Sequence, residues 1–87
     1  MQTDEYSISL SREVAVCESM IRKVRRLLAE LERRHGYTTE EFIEKARSGM
    51  TDSQQPDFLR WSELADRLLT WTGKREEYVS LLLKMKH

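Results

Sequence analysis

Glu32 and His35 stand three residues apart, a spacing that on a helix points both side chains the same way. In four-helix carboxylate bundles a Glu-x-x-His pair ligates iron, but that site needs a second pair and two further carboxylates. The sequence offers no second copy. The structural reading carries more weight: His35 closes the basic turn Arg33-Arg34-His35, where cations favour a helix C-terminus. No metal ligand is assigned. Cys17 is the only cysteine, so it cannot form an internal disulfide, which fits a reducing compartment. It falls in an apolar stripe, where a cysteine is ordinarily a small buried hydrophobe, whereas a reactive thiolate needs an accessible electropositive setting. His35 would lie about five turns away along the same helix, which rules out a Cys–His dyad. The chain has no glycine-rich phosphate loop, Cys-x-x-Cys, His-Glu-x-x-His or calcium loop. Its acidic residues fall mainly where helix caps want them. The expectation is a protein that is not an enzyme, with no catalytic residue and no cofactor.

Two further groups are candidates for binding. Arg22, Lys23, Arg25 and Arg26 form a basic cluster, with Arg33 and Arg34 two turns on. From Leu10 to His35 seven basic residues face four acidic ones. A solvated helix face explains this, and a patch for nucleic acid or an acidic protein is the sharper alternative. No aromatic is interleaved with the cluster, which disfavours stacking on single strands. Trp61 and Trp71 both match an apolar stripe, so core packing is the simpler role, although Trp is also the commonest binding hot spot. Leu59, Leu69 and Leu83 fall off that stripe. Scattered exposed leucines are normal, but several on one helix of a short chain point to a covered surface.

These residues are positioned by helices. Gly and Pro number three and one, and Val and Ile are few and scattered. Leu10, Val14, Cys17, Ile21, Val24, Leu28 and Leu31 make an unbroken heptad stripe, widened on one flank by Met20 and Leu27. A stripe this wide suits a bundle better than a narrow two-stranded seam. Gly36 after a basic turn reads as the stop. Ser9 and Ser11 are candidate N-caps, Tyr6, Ile8 and Leu10 alternate as in an extended leader, and a start near Ser9 is favoured. Thr38 and Glu41 form a capping box, with Tyr37 and Phe42 as its hydrophobic staple, and Gly49 ends that short helix. After a polar loop, Pro56 opens a third helix. Trp61, Leu64, Leu68, Trp71, Tyr78, Leu82 and Met85 carry its stripe, which Arg75 interrupts. Gly73 is expected to weaken or bend that helix without breaking it.

The expected architecture is all-α: one domain over residues 1–87 with helices at 10–35, 39–48 and 56–86. The two long helices, roughly 38 and 45 Å, fold back as an antiparallel hairpin joined by the short one. Its ends should set Tyr6, Ile8 and Leu10 near Tyr78, Leu82 and Met85. An 87-residue chain buries a modest core, so dimerisation or a partner is expected to complete it. Fifteen basic and fifteen acidic residues cancel, leaving no bulk drive toward nucleic acid or membrane. The first residues resemble no signal peptide, and no apolar run approaches the roughly 20 residues of a membrane span. A cytoplasmic location follows as the default.

The residues Glu40-Glu41-Phe42, Gly49, Asp52, Asp57-Phe58 and Trp61 resemble a pattern in short helical proteins encoded beside toxin genes, the proposed antitoxins of protein–protein toxin–antitoxin pairs. The likeness covers about residues 35 to 65. Those proteins are usually more acidic between the Gly and the Trp, where this chain has Ser53-Gln54-Gln55-Pro56. The resemblance implies a non-catalytic partner that covers a toxic enzyme, a cognate toxin. Binding hot spots are apolar and aromatic anchors, so Phe58, Leu59, Trp61, Leu69 and Trp71 are the expected contacts. The alternatives are a structural homo-oligomeric bundle and a nucleic-acid-binding regulator acting through Arg22 to Arg34.

Overall fold

The computed structural model describes residues 4–52 and 54–85. It is all-α, with helices α1 (Asp4–His35), α2 (Thr39–Arg47) and α3 (Pro56–Met85). α1 and α3 pack along their length as a hairpin, and α2 bridges their closed end. Two side-chain contacts fix the antiparallel register: Arg75 Nε donates to Glu18 Oε2 at 3.0 Å, and Arg34 Nη1 donates to Asp57 Oδ2 at 2.9 Å. The same register sets Leu10 near the turn around Leu82.

The heptad stripe of α1 becomes the seam. Leu10, Cys17, Val24 and Leu31, one per heptad, are buried, as is Leu28, while Val14 and Ile21 are half-buried. α1 is already helical at Asp4, so the expected start near Ser9 is corrected. The spacing of four through Tyr6, Leu10 and Val14 continues the helix. The alternation of an extended leader does not hold, because Ile8 is 50% exposed while Leu10 is buried. Ser9 and Ser11 stand exposed on the outer turns and cap nothing.

The turns follow the punctuation of the sequence. Gly36 adopts φ +83°, and its N–H reaches Glu32 O at 2.8 Å. Thr38 caps α2: its Oγ1 accepts from Glu41 N at 3.1 Å, and Glu41 Oε1 accepts from Thr38 N at 2.9 Å. α2 ends at Arg47, with Ser48 as its C-cap. There Gly49 (φ +75°) donates to Ala46 O, and Met50 N donates to Lys45 O. That pair of bonds is a Schellman stop, and the left-handed φ explains the glycine. α3 runs unbroken through Gly73 to Met85. The expected last helical residue, Lys86, lies outside the described residues.

Burial is lopsided. Val24, Leu28, Leu31, Phe42, Trp61 and Leu64 form one cluster at the closed end, with Leu27, Tyr37, Ile43, Phe58 and Leu68 packed on it. In α3 the buried residues are Trp61, Leu64 and Ala65. From Asp66 to Met85 every described side chain is half-buried or exposed. The molecule measures 55 × 21 × 18 Å, and its radius of gyration is 17.0 Å. A compact chain of this length has roughly 12 Å. Two helices side by side have no second layer to cover them.

Candidate partner-binding face

The closed end of the hairpin is held by a polar relay around an aromatic cluster. Trp61, fully buried, stacks on Phe42 with ring centroids 4.4 Å apart and on Tyr37 at 5.3 Å. Its indole N–H donates to Thr39 Oγ1 at 3.0 Å. Thr39 in turn donates through Oγ1 (2.8 Å) and through its backbone N–H (2.7 Å) to Glu32 Oε2. Glu32 therefore caps the first turn of α2 from another helix, where a carboxylate meets the positive end of the dipole. His35 turns to a different partner. Its ring lies 5.1 Å from Phe58 and 5.5 Å from Trp61, and Nε2 sits 2.9 Å from Asp57 Oδ2. An ionised carboxylate only accepts, so Nε2 carries the hydrogen.

Asp57 also receives Arg34 Nη1 on both oxygens, at 3.0 and 2.9 Å. Hydrogen bonds from Arg34 first and His35 second hold its carboxyl below the ordinary 3.8. The same bond raises the Arg34 guanidinium. Glu32 and His35 are thus engaged separately, one as a cap and one in a hydrogen bond to Asp57. Among the described residues no group of three or more His, Cys, Asp or Glu is placed to hold a metal ion. Cys17 is buried, and burial followed by the charge of Glu13 pushes its thiol up, away from a reactive thiolate.

The five residues expected to contact a partner do not form one surface. Trp61 has no exposed area, and its ring is the centre of the core. This corrects its expected place at a contact: the stripe that made it a candidate is the seam itself. Phe58 is half-buried against Phe42, Trp61 and His35. Trp71 is half-buried too, with Lys74 Nζ 5.3 Å from its ring centre. Leu59 is 52% exposed and borders a small hollow beside Phe42, Ala46 and Gly49. Leu69, 70% exposed, lines a groove of about 550 Å³ where the three helices meet.

The apolar wall of that groove is Leu28, Ile43, Ala65, Leu68 and Leu69. A second hollow of about 460 Å³, sharing Arg25, continues it between Ile21 and Thr72 toward the open end. Of this lining, the sequence singles out Leu69 alone among the expected contacts. The available signal was the pair of small residues Ala65 and Thr72, one heptad apart, which leave space where larger side chains would fill the flank of α3. Leu59 and Leu69 thus belong to separate depressions.

The basic cluster of α1 is exposed at Arg22, Lys23, Arg25, Arg26 and Arg33. Among the described residues the ion pairs are Arg34 with Asp57, Arg47 with Glu44, and Arg75 with Glu18, so none of those five cations is paired. No described helix is long and apolar enough to cross a membrane. Compared with known proteins, the chain matches no family model, no curated protein and no solved structure.

Proposed function

We propose that this chain is a non-catalytic protein-binding module, and that its partner is a toxin which it neutralises as an antitoxin. One observation carries the protein-binding part: Leu69, 70% exposed, stands at an unfilled groove walled by Leu28, Ile43, Ala65 and Leu68. An amphipathic helix of a partner lays its apolar face into a hydrophobic groove of this kind. The toxin as partner rests on the resemblance of Glu40-Glu41-Phe42, Gly49, Asp52, Asp57-Phe58 and Trp61 to antitoxin sequences. In this fold most of those residues serve the closed end: Trp61 and Phe42 stack, Asp57 binds Arg34 and His35, and Gly49 stops α2. On this reading the pattern preserves the shape that presents the groove.

Co-expression with the product of any small reading frame adjacent to its gene tests the proposal. A stable complex that relieves growth arrest, and is lost with Leu69→Asp, is the expected result. Arg26→Glu with Arg33→Glu, at exposed positions that line neither hollow, should leave that complex largely intact, since charges away from the apolar anchor contribute little. Absence of any complex, with salt-sensitive promoter binding lost in the double charge reversal, favours the nucleic-acid regulator instead. A second reading, a homo-oligomeric bundle, is favoured by a specific feature: α3 beyond Ala65 presents no fully buried residue.

A further inference from the structure

The charges along the groove say what kind of helix it accepts. The two adjoining hollows follow one side of the hairpin from the level of Glu32 to that of Glu18. About fourteen residues of α1 separate these levels, or roughly 21 Å, which is about four turns of a partner helix. Of the charged groups lining it, Glu18 is taken by Arg75 and Glu32 by Thr39. The unpaired cations are Arg22 and Arg25, one turn apart in the middle of the α1 rim. The unpaired carboxylates are Glu76, near the open end, and Glu40, at the α2 end. The pattern from end to end is acidic, basic, acidic; the wall beneath is apolar at the α2 end, through Leu28, Ile43, Leu68 and Leu69, and polar apart from Ile21 toward Glu76.

We infer that the groove takes a single amphipathic helix of a partner protein, with apolar residues set on Leu68 and Leu69, carboxylates in its central turns against Arg22 and Arg25, and cations at its ends. This rests on the protein-binding reading and adds the chemistry of the occupant. The apolar anchor supplies affinity, and the charge order fixes which helix fits and at what register. The N–H groups of Thr39 and Glu41 at the start of α2 take no part, because Glu32 and the Thr38 hydroxyl already occupy them.

Two stapled helical peptides of about sixteen residues, a length that fills the groove, probe this. They share leucines at i, i+3 and i+7. One carries Glu in its central turns and Lys at its ends, and the other has the charges exchanged. Calorimetry and amide shift mapping on the full chain are the readouts. The central-Glu peptide is expected to bind about tenfold tighter than its exchange partner, the scale of two rim ion pairs acting together. Shifts should centre on Leu28, Ile43 and Leu69. Leu69→Asp, at an exposed position that leaves the helices folded by circular dichroism, should abolish binding. Arg22→Glu with Arg25→Glu should reverse the order of the two peptides. Equal affinities, shifts centred on Arg26 and Arg33, or a self-associated chain that Leu69→Asp converts to monomer overturns the inference. A neighbouring gene product that binds the chain and its Leu69→Asp variant equally also overturns it while leaving the protein-binding reading standing. If the chain binds neither peptide nor that product, but binds duplex DNA, both fall.

Discussion

Asp57 is the residue on which the closed end converges. It stands in the first turn of α3 and receives Arg34 and His35 from the last turn of α1, so one carboxylate accepts three hydrogen bonds from two donor nitrogens across the hairpin. A carboxyl whose folded value lies below its unfolded one adds stability that is fully present above the unfolded value, near the ordinary 3.8. That stability is lost as the pH falls through the lowered folded value. Asp57→Asn removes the charge at every pH. The variant should therefore be less stable than the parent at pH 6, and the difference should close on acidification below about pH 4. Urea melts at several pH values between 2 and 6 check this, and parallel curves across that range would count against it. The Glu32–His35 pair teaches the same lesson at this scale. The sequence places both on one side of α1, and only the fold decides that Glu32 turns to Thr39 and His35 to Asp57.

At the scale of elements, the caps and stops were legible and one start was not. Thr38, Glu41 and Gly49 act as their types and spacing require, because these motifs close within a few residues. The start of α1 was misplaced because Ser9 and Ser11 are as compatible with a helical surface as with a cap. The break in the α3 stripe at Arg75 also resolves only across helices, in its bond to Glu18. Thr38→Ala removes the acceptor for Glu41 N and should cost about 1 kcal/mol. Glu32 still holds Thr39 N, so loosening should be confined to residues 39–47 and leave the hairpin intact. Faster amide exchange at Phe42 to Ala46 alone is the expected signature. Gly73 sits in unbroken helix without positive φ, and a Cβ there meets nothing within 4 Å. Gly73→Ala should stabilise the chain by up to about 1 kcal/mol, through helix propensity and a less free unfolded state. A lower melting temperature in that variant would show that the position needs glycine.

At the scale of the whole molecule, the uneven distribution of burial decides what the chain does alone. The hairpin was legible because seven positions of α1 repeat without error, and four of them are buried one heptad apart. The groove was not legible, because it is a space left among Ala65, Thr72 and three helices, and no periodicity in one segment encodes it. The closed end has a cluster of six buried residues, whereas the open half has Leu10 and Cys17 buried on α1 alone. Tyr6, Ile8, Val16, Leu69, Leu83 and Met85 remain exposed. These side chains lie along both long helices, where a second copy or a partner would cover them. The chain is therefore expected to be a dimer or part of a hetero-complex under working conditions. Light scattering at tens of micromolar should give at least twice the 10.4 kDa chain mass, or aggregation relieved by the partner. Where it is brought to a monomer by dilution, amide exchange should quicken first in 4–16 and 71–85, the half with little burial, and last around Trp61. A monomeric chain at that concentration with one cooperative melt, and uniform protection along both long helices, would mean that the hairpin needs no cover.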